Sequence, residues 1–117
     1  MPRVLVVGYD PEAVPGIDGP AMRSALDAEL ERFAGEGIEG SMVLVTADPS
    51  TVPTFVDALA SRPWDVVVVG GGIRKAEPLL TLFELVVNLV REHAPEAALA
   101  FNTSGGDSVE AARRWLS

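Results

Sequence analysis

The chain contains no cysteine, one histidine, one tyrosine and one lysine in 117 residues. Without cysteine there is no disulfide framework, no thiolate nucleophile and no cysteine-built zinc or iron–sulfur centre. A single histidine excludes a multi-histidine metal site and leaves little room for a serine–histidine relay. Basic residues are scarce as well: nine lysines and arginines face seventeen acidic residues, a net charge of −8. That balance argues against nucleic acid and anionic membranes as partners, since both favour basic surfaces. Long apolar runs are missing too. Met1–Pro2–Arg3 leads into four apolar residues before Gly8, which is short of a secretory core. The most apolar stretch, Leu79 to Val90, is twelve residues long and carries Glu84 and Asn88, too short for a bilayer span. The expectation is a cytoplasmic protein.

What is present is ordinary for a folded domain, with 48% hydrophobic and 22% charged residues. The length predicts a single domain over 1–117. "RVLVVGY" (3–9), "SMVLVT" (41–46), "WDVVVVG" (64–70) and "AALAFNT" (97–103) read as strands, being apolar without alternation. Between them lie helical signals. Gly19–Pro20 opens one helix, whose Met22, Leu26, Leu30 and Phe33 share a face, and Gly35 and Gly37 close it. A second helix is predicted at about 52–61 and a third from Pro78 to about His93, stopped by Ala94–Pro95. The last is predicted near Asp107, where "DSVE" has capping-box spacing.

Strands alternating with helices predict a three-layer α/β sandwich around a four-stranded parallel sheet, flavodoxin- or Rossmann-like. The first strand is uniformly apolar and belongs in the centre, which favours the order 2-1-3-4 over 3-2-1-4. In such sheets ligands bind beyond the carboxyl ends of the strands, where strand order reverses. For 2-1-3-4 that point falls between the first and third strands, beside the loops "GYDPEAVPGIDG" (8–19) and "GGGIRKAEP" (70–78), with "NTSGGDS" (102–108) flanking them. The 8–19 loop is long for a strand-to-helix connection and is expected to wall the crevice, with Tyr9 and Asp10 pointing inward.

The glycine loop starts like a dinucleotide fingerprint, but Lys75 stands where glycine or alanine is needed, and no Gly-Lys-Ser/Thr occurs. What it offers is generic: Gly70, Gly71 and Gly72 let a ligand approach the backbone, beside the adjacent cations Arg74 and Lys75. The bland alternative is a turn whose cations pair with Glu77 or the acidic loop. Asn102, Thr103 and Ser104 form a second hydrogen-bonding cluster, whose neighbours Asp107 and Ser108 also read as helix caps. Asp10 and Asp48 end neighbouring strands and raise a magnesium option, although Asp48–Pro49–Ser50 reads equally as a turn. No metal site is assigned, and the sequence names no particular cofactor, which stays unknown. His93 is expected at a helix end, away from the loops.

The plan resembles a bacterial receiver domain, but Gly70 stands where the phospho-accepting aspartate belongs. "VVVVGGGIRKAEP", "FELVVNLVREHAP" and "FNTSGG" also make the chain similar to a group of small single-domain bacterial and fungal α/β proteins. That resemblance implies the fold and the importance of these loops, and carries over no activity. The functional expectation is a protein binding a phosphate- or carboxylate-bearing small molecule at Tyr9, Asp10, Gly70–Gly72, Arg74, Lys75 and Asn102–Ser104. The alternatives are an enzyme with Asp10 as base or metal ligand, and an interaction module using helix 79–92. That helix is apolar over most of its circumference, which predicts a homodimer formed through it.

Overall fold

Strand β1 (Arg3–Tyr9) forms the centre of a parallel sheet with β2 (Glu39–Val45) on one side and β3 (Val66–Val69) on the other. Strand β4 (Ala98–Phe101) pairs with β3 and completes the order 2-1-3-4. In this computed structural model, residues 1–13, 16, 18–103 and 105–116 are described, without the side chain of Glu12. The helices are α1 (Gly19–Gly35), α2 (Thr51–Ala60), a single turn α3 (Gly71–Arg74), α4 (Leu80–His93) and α5 (Ser108–Arg113). Short 3₁₀ turns lie at Pro11–Ala13, Glu77–Leu79 and Gly105–Asp107.

The unbroken apolar strands are explained by two cores. Successive strand side chains point to opposite faces, so a strand covered on both faces must be apolar throughout. Leu5, Val7, Val43, Val45, Val67 and Val69 face Phe55 and Leu59 of α2 and Leu82, Val86 and Val90 of α4. Val4, Val6, Val66, Val68 and Ala100 face Phe33 of α1 and Val109, Ala111 and Ala112 of α5. This is a three-layer arrangement with α1 and α5 on one face and α2 and α4 on the other.

The differences from the sequence reading are local. Strand β2 begins at Glu39 because Glu39 N–H donates to Pro2 O at 2.9 Å and Gly40 admits close approach to α1. A Cβ at Gly40 would lie 2.9 Å from Phe33 Cβ. The glycine loop is not a plain turn, since Gly71–Arg74 winds into a helical turn and α4 starts after Pro78, at Leu80. The expected capping box at "DSVE" does not form. The Asp107 carboxylate accepts from Thr103 N–H at 2.9 Å and from its hydroxyl at 2.6 Å, while Glu110 pairs with Arg32. Short polar side chains here find better partners outside the helix than its own first turn.

The apolar circumference of α4 is largely consumed within the chain. Leu82, Val86 and Val90 are buried, and Leu79, Phe83 and Leu89 pack partly against the same core. Phe83 also meets Phe101 edge-on, with ring centroids 6.1 Å apart. Leu80 and Leu85 remain exposed at 61% and 38%.

Candidate functional site

Register brings the site together. Val7, Val69 and Phe101 are aligned partners across β1, β3 and β4, so Gly8, Gly70 and Asn102 follow at one level. Right-handed crossovers send α1 and the segment after β3 to opposite faces of the sheet, and the space between them opens at this level. A cavity of about 580 Å³ occupies it. Its walls include Val6, Gly8, Tyr9, Pro11 and Ala13 from β1 and the following turn, and Met22 and Leu26 from α1. Gly70, Gly71, Gly72, Ala76, Pro78 and Leu79 close the other side. Met22 and Leu26 therefore do not simply pack α1 on the sheet; Met22 is 45% exposed and faces the cavity.

Three buried polar residues reach this largely apolar space: Glu29, Asn102 and Ser108. Asn102 is the hub. Its Oδ1 accepts from Gly71 N–H at 2.9 Å, and its Nδ2 donates to Ser108 Oγ at 2.9 Å. Glu29 accepts from Arg32 at 3.1 Å through both oxygens and from Val109 N–H at 3.2 Å. Arg32 then reaches Gly106 O at 2.7 Å and Glu110 at 2.6 Å. Those two carboxylates hold its guanidinium protonated beyond the ordinary range, and Arg32 in turn holds the Glu110 carboxyl below its ordinary value. Glu29 was missed in the sequence. Its signal was a charged residue three after Leu26 and four before Phe33, on the apolar stripe of α1.

The expected residues divide by location. Tyr9, Gly70, Gly71, Gly72 and Asn102 line the cavity. Asp10 does not; it is half-buried, its N–H donates to Val45 O at 2.9 Å, and its carboxylate meets Arg23 at 3.5 Å. Thr103 turns to Asp107, and Ser104 lies outside the described residues. Val14, Pro15 and Ile17 of the 8–19 loop lie outside them as well. Asp18 caps α1, accepting from Ala21 N–H at 3.1 Å.

Arg74 and Lys75 sit beside the cavity rather than in its wall. Arg74 donates to Asn102 O, Lys75 donates to Thr103 O, and the Arg74 guanidinium stands 5.8 Å over the Phe101 ring. Lys75 passes close to Gly71, since a Cβ built there would be 3.4 Å from Lys75 Cε. Neither cation pairs with a carboxylate among the described residues, whereas Arg3, Arg23, Arg32, Arg62 and Arg113 all do. The Arg74 Nε is buried with no hydrogen-bond partner among the described residues. The alternative that these cations pair with Glu77 is therefore not what the structure contains.

The glycines differ in what they permit. A Cβ at Gly70 would lie 3.1 Å from Val7 O, a tight contact with the backbone of the central strand. At Gly72 it would meet only Tyr9 Cβ, at 3.7 Å, and project toward the cavity. Neither has a positive φ.

Asp48 belongs to a turn: its carboxylate accepts from Ser50 N–H at 2.8 Å, and that bond holds it below the ordinary carboxylate range. Among the described residues no group of three or more histidine, aspartate or glutamate side chains is arranged to hold a metal ion. His93 lies in the last turn of α4, 3.9 Å from Glu92. No helix among the described residues is long and apolar enough to cross a membrane. Comparison with protein-family models, with curated proteins and with solved structures finds no match for this chain.

Proposed function

We propose that this chain is a small-molecule-binding protein whose ligand places an apolar body in the cavity at the carboxyl ends of β1 and β3 and an anionic group at the Gly71–Lys75 rim. The observation that carries the reading is the cavity itself: about 580 Å³, largely apolar, with a few convergent polar groups. That volume and lining are typical of sites for small organic ligands. Its position between β1 and β3 is where a flavodoxin-like sheet of this order binds its ligand. Support for the anion comes from charge. In a chain of net charge −8, Arg74 and Lys75 spend their positive charge on backbone carbonyls. A phosphate or carboxylate at the rim is a stronger partner for them than a neutral carbonyl.

The test is ligand-dependent stabilisation. A panel of carboxylates and phosphate esters with apolar tails should raise the melting temperature of the wild type. By mass action this is worth about 2.7 kcal/mol at a hundredfold excess over Kd. Arg74→Ala with Lys75→Ala should remove the preference for the charged members while leaving their uncharged analogues bound. A panel that shifts neither wild type nor variant would refute the reading. An enzyme using Asp10 as base finds less support, because Asp10 is turned to Arg23 and does not line the cavity. Self-association through helix 79–92 remains part of the reading, now resting on the exposed Leu80 and Leu85.

A further inference from the structure

We infer that the buried side of the cavity selects an uncharged hydroxyl group, read jointly by Ser108 and Glu29; this rests on the small-molecule reading above and names what its apolar body must carry.

Ser108 is 2% exposed and lines the cavity. Its Oγ already accepts from Asn102 Nδ2 at 2.9 Å, and its own proton goes to no acceptor among the described residues. A buried hydroxyl therefore faces the cavity as a donor, and a buried donor left unmatched is costly. Glu29, 4% exposed, supplies the complementary acceptor. Its Oε1 is used by Arg32 and by Val109 N–H, whereas its Oε2 takes only the Arg32 bond and keeps acceptor capacity. Because Val109 follows Ser108, that bond anchors the carboxylate to the same turn of α5, and Glu29 and Ser108 both line the cavity.

One donor and one acceptor lining the same cavity match a group that both accepts and donates. A ligand hydroxyl does both at a single atom. A ligand carboxylate or phosphate would satisfy Ser108 but face the Glu29 charge in a low-dielectric cavity. An ammonium would satisfy Glu29 but is repelled by Arg32, which already answers that charge, and can accept nothing from Ser108. The buried side thus differs in selectivity from the cationic rim formed by Arg74 and Lys75.

Four probes of one shape separate these demands: propylbenzene, 4-propylphenol, 4-propylbenzylamine and 4-propylbenzoate, titrated against the intact chain by calorimetry or ligand-observed NMR. The phenol should bind about tenfold more tightly than the hydrocarbon, the worth of a net buried hydrogen bond or two. The amine should show no such gain. Ser108→Ala should remove most of the phenol's advantage over the hydrocarbon, leaving only the share that donation to Glu29 supplies. Arg74→Ala with Lys75→Ala should leave the phenol's advantage intact. The benzoate should be weakened by Arg74→Ala with Lys75→Ala and unmoved by Ser108→Ala. Using the ratio of two probes on each variant removes any general effect of Ser108→Ala on folding, and the wild-type ratio is decisive by itself. Equal binding of phenol and hydrocarbon, or a larger gain for the amine, overturns the hydroxyl inference while leaving the apolar cavity standing. Failure of all four probes overturns the binding site and the inference with it.

Discussion

Two glycines of the same loop, Gly70 and Gly72, should respond to alanine with opposite signs. At Gly70 the new methyl would sit 3.1 Å from the carbonyl oxygen of Val7, an atom of the central strand that also accepts the Gly70 N–H at 2.9 Å. Relief requires the Val7 carbonyl, held in the central strand, to give by a few tenths of an ångström, so Gly70→Ala is an overpacking substitution costing about 1–3 kcal/mol. At Gly72 the methyl meets only Tyr9 Cβ, at 3.7 Å, and the backbone is outside the left-handed region. Gly72→Ala should instead stabilise by about 0.4–1 kcal/mol, chiefly by restricting the unfolded chain. The two variants should thus differ by about 1.4–4 kcal/mol, or roughly 5–15 °C in Tm for a domain of this size. Thermal and urea unfolding followed by circular dichroism measures both, with the urea slope checking that the unfolded state is unchanged. Equal effects, or destabilisation at Gly72 as large as at Gly70, would refute the geometry assigned to the loop.

Gly40→Ala should be more damaging than Gly72→Ala, since its methyl would lie 2.9 Å from Phe33 Cβ, an atom fixed to the α1 backbone; a loss of about 1–3 kcal/mol in urea unfolding is expected. Glu110 sets a pH window. Its carboxyl is held below its ordinary value by the hydrogen bond from Arg32, so the unfolded chain protonates first. The contribution is complete above that value and is lost as pH falls through the lower folded value. Glu110→Gln should therefore flatten the acid limb of stability against pH, and an unchanged limb would contradict the pairing. Sedimentation at micromolar concentration should detect a dimer that Leu85→Glu splits without unfolding the sheet; a concentration-independent monomer ends the self-association proposal.

Fold and site were readable to different depths, for physical reasons. Strand identity and order follow from burial. A strand enclosed on both faces has to be apolar at every position, and β1 and β3 are the most enclosed. The neighbourhood of the site followed from the strand order, because the switch point selects the loops. What each loop residue does depended on side-chain geometry that no spacing encodes. The glycine run read as one permissive element, yet Gly70 presses on Val7 O and Gly72 has room beside Tyr9 Cβ. Asp107 and Ser108 read as caps, yet they turn to Thr103 and Asn102, because those strand-end groups lie within reach only after folding. Arg74 and Lys75 read as rim cations, and their carbonyl partners became apparent only once β4 lay beside β3. Glu29 did leave a trace in the sequence, as a carboxylate on an apolar stripe.

The central claim is that the cavity between β1 and β3 takes a small molecule. Amide and methyl NMR of the labelled chain titrated with 4-propylphenol tests it most directly, with Gly72→Leu, whose side chain would fill the mouth, as the control. Perturbations confined to the cavity walls, at Tyr9, Met22, Leu26, Glu29, Gly70–Gly72, Ala76, Asn102 and Ser108, saturating in the wild type and absent in Gly72→Leu, are predicted. Shifts centred on α4, or a response that Gly72→Leu leaves unchanged, would contradict it.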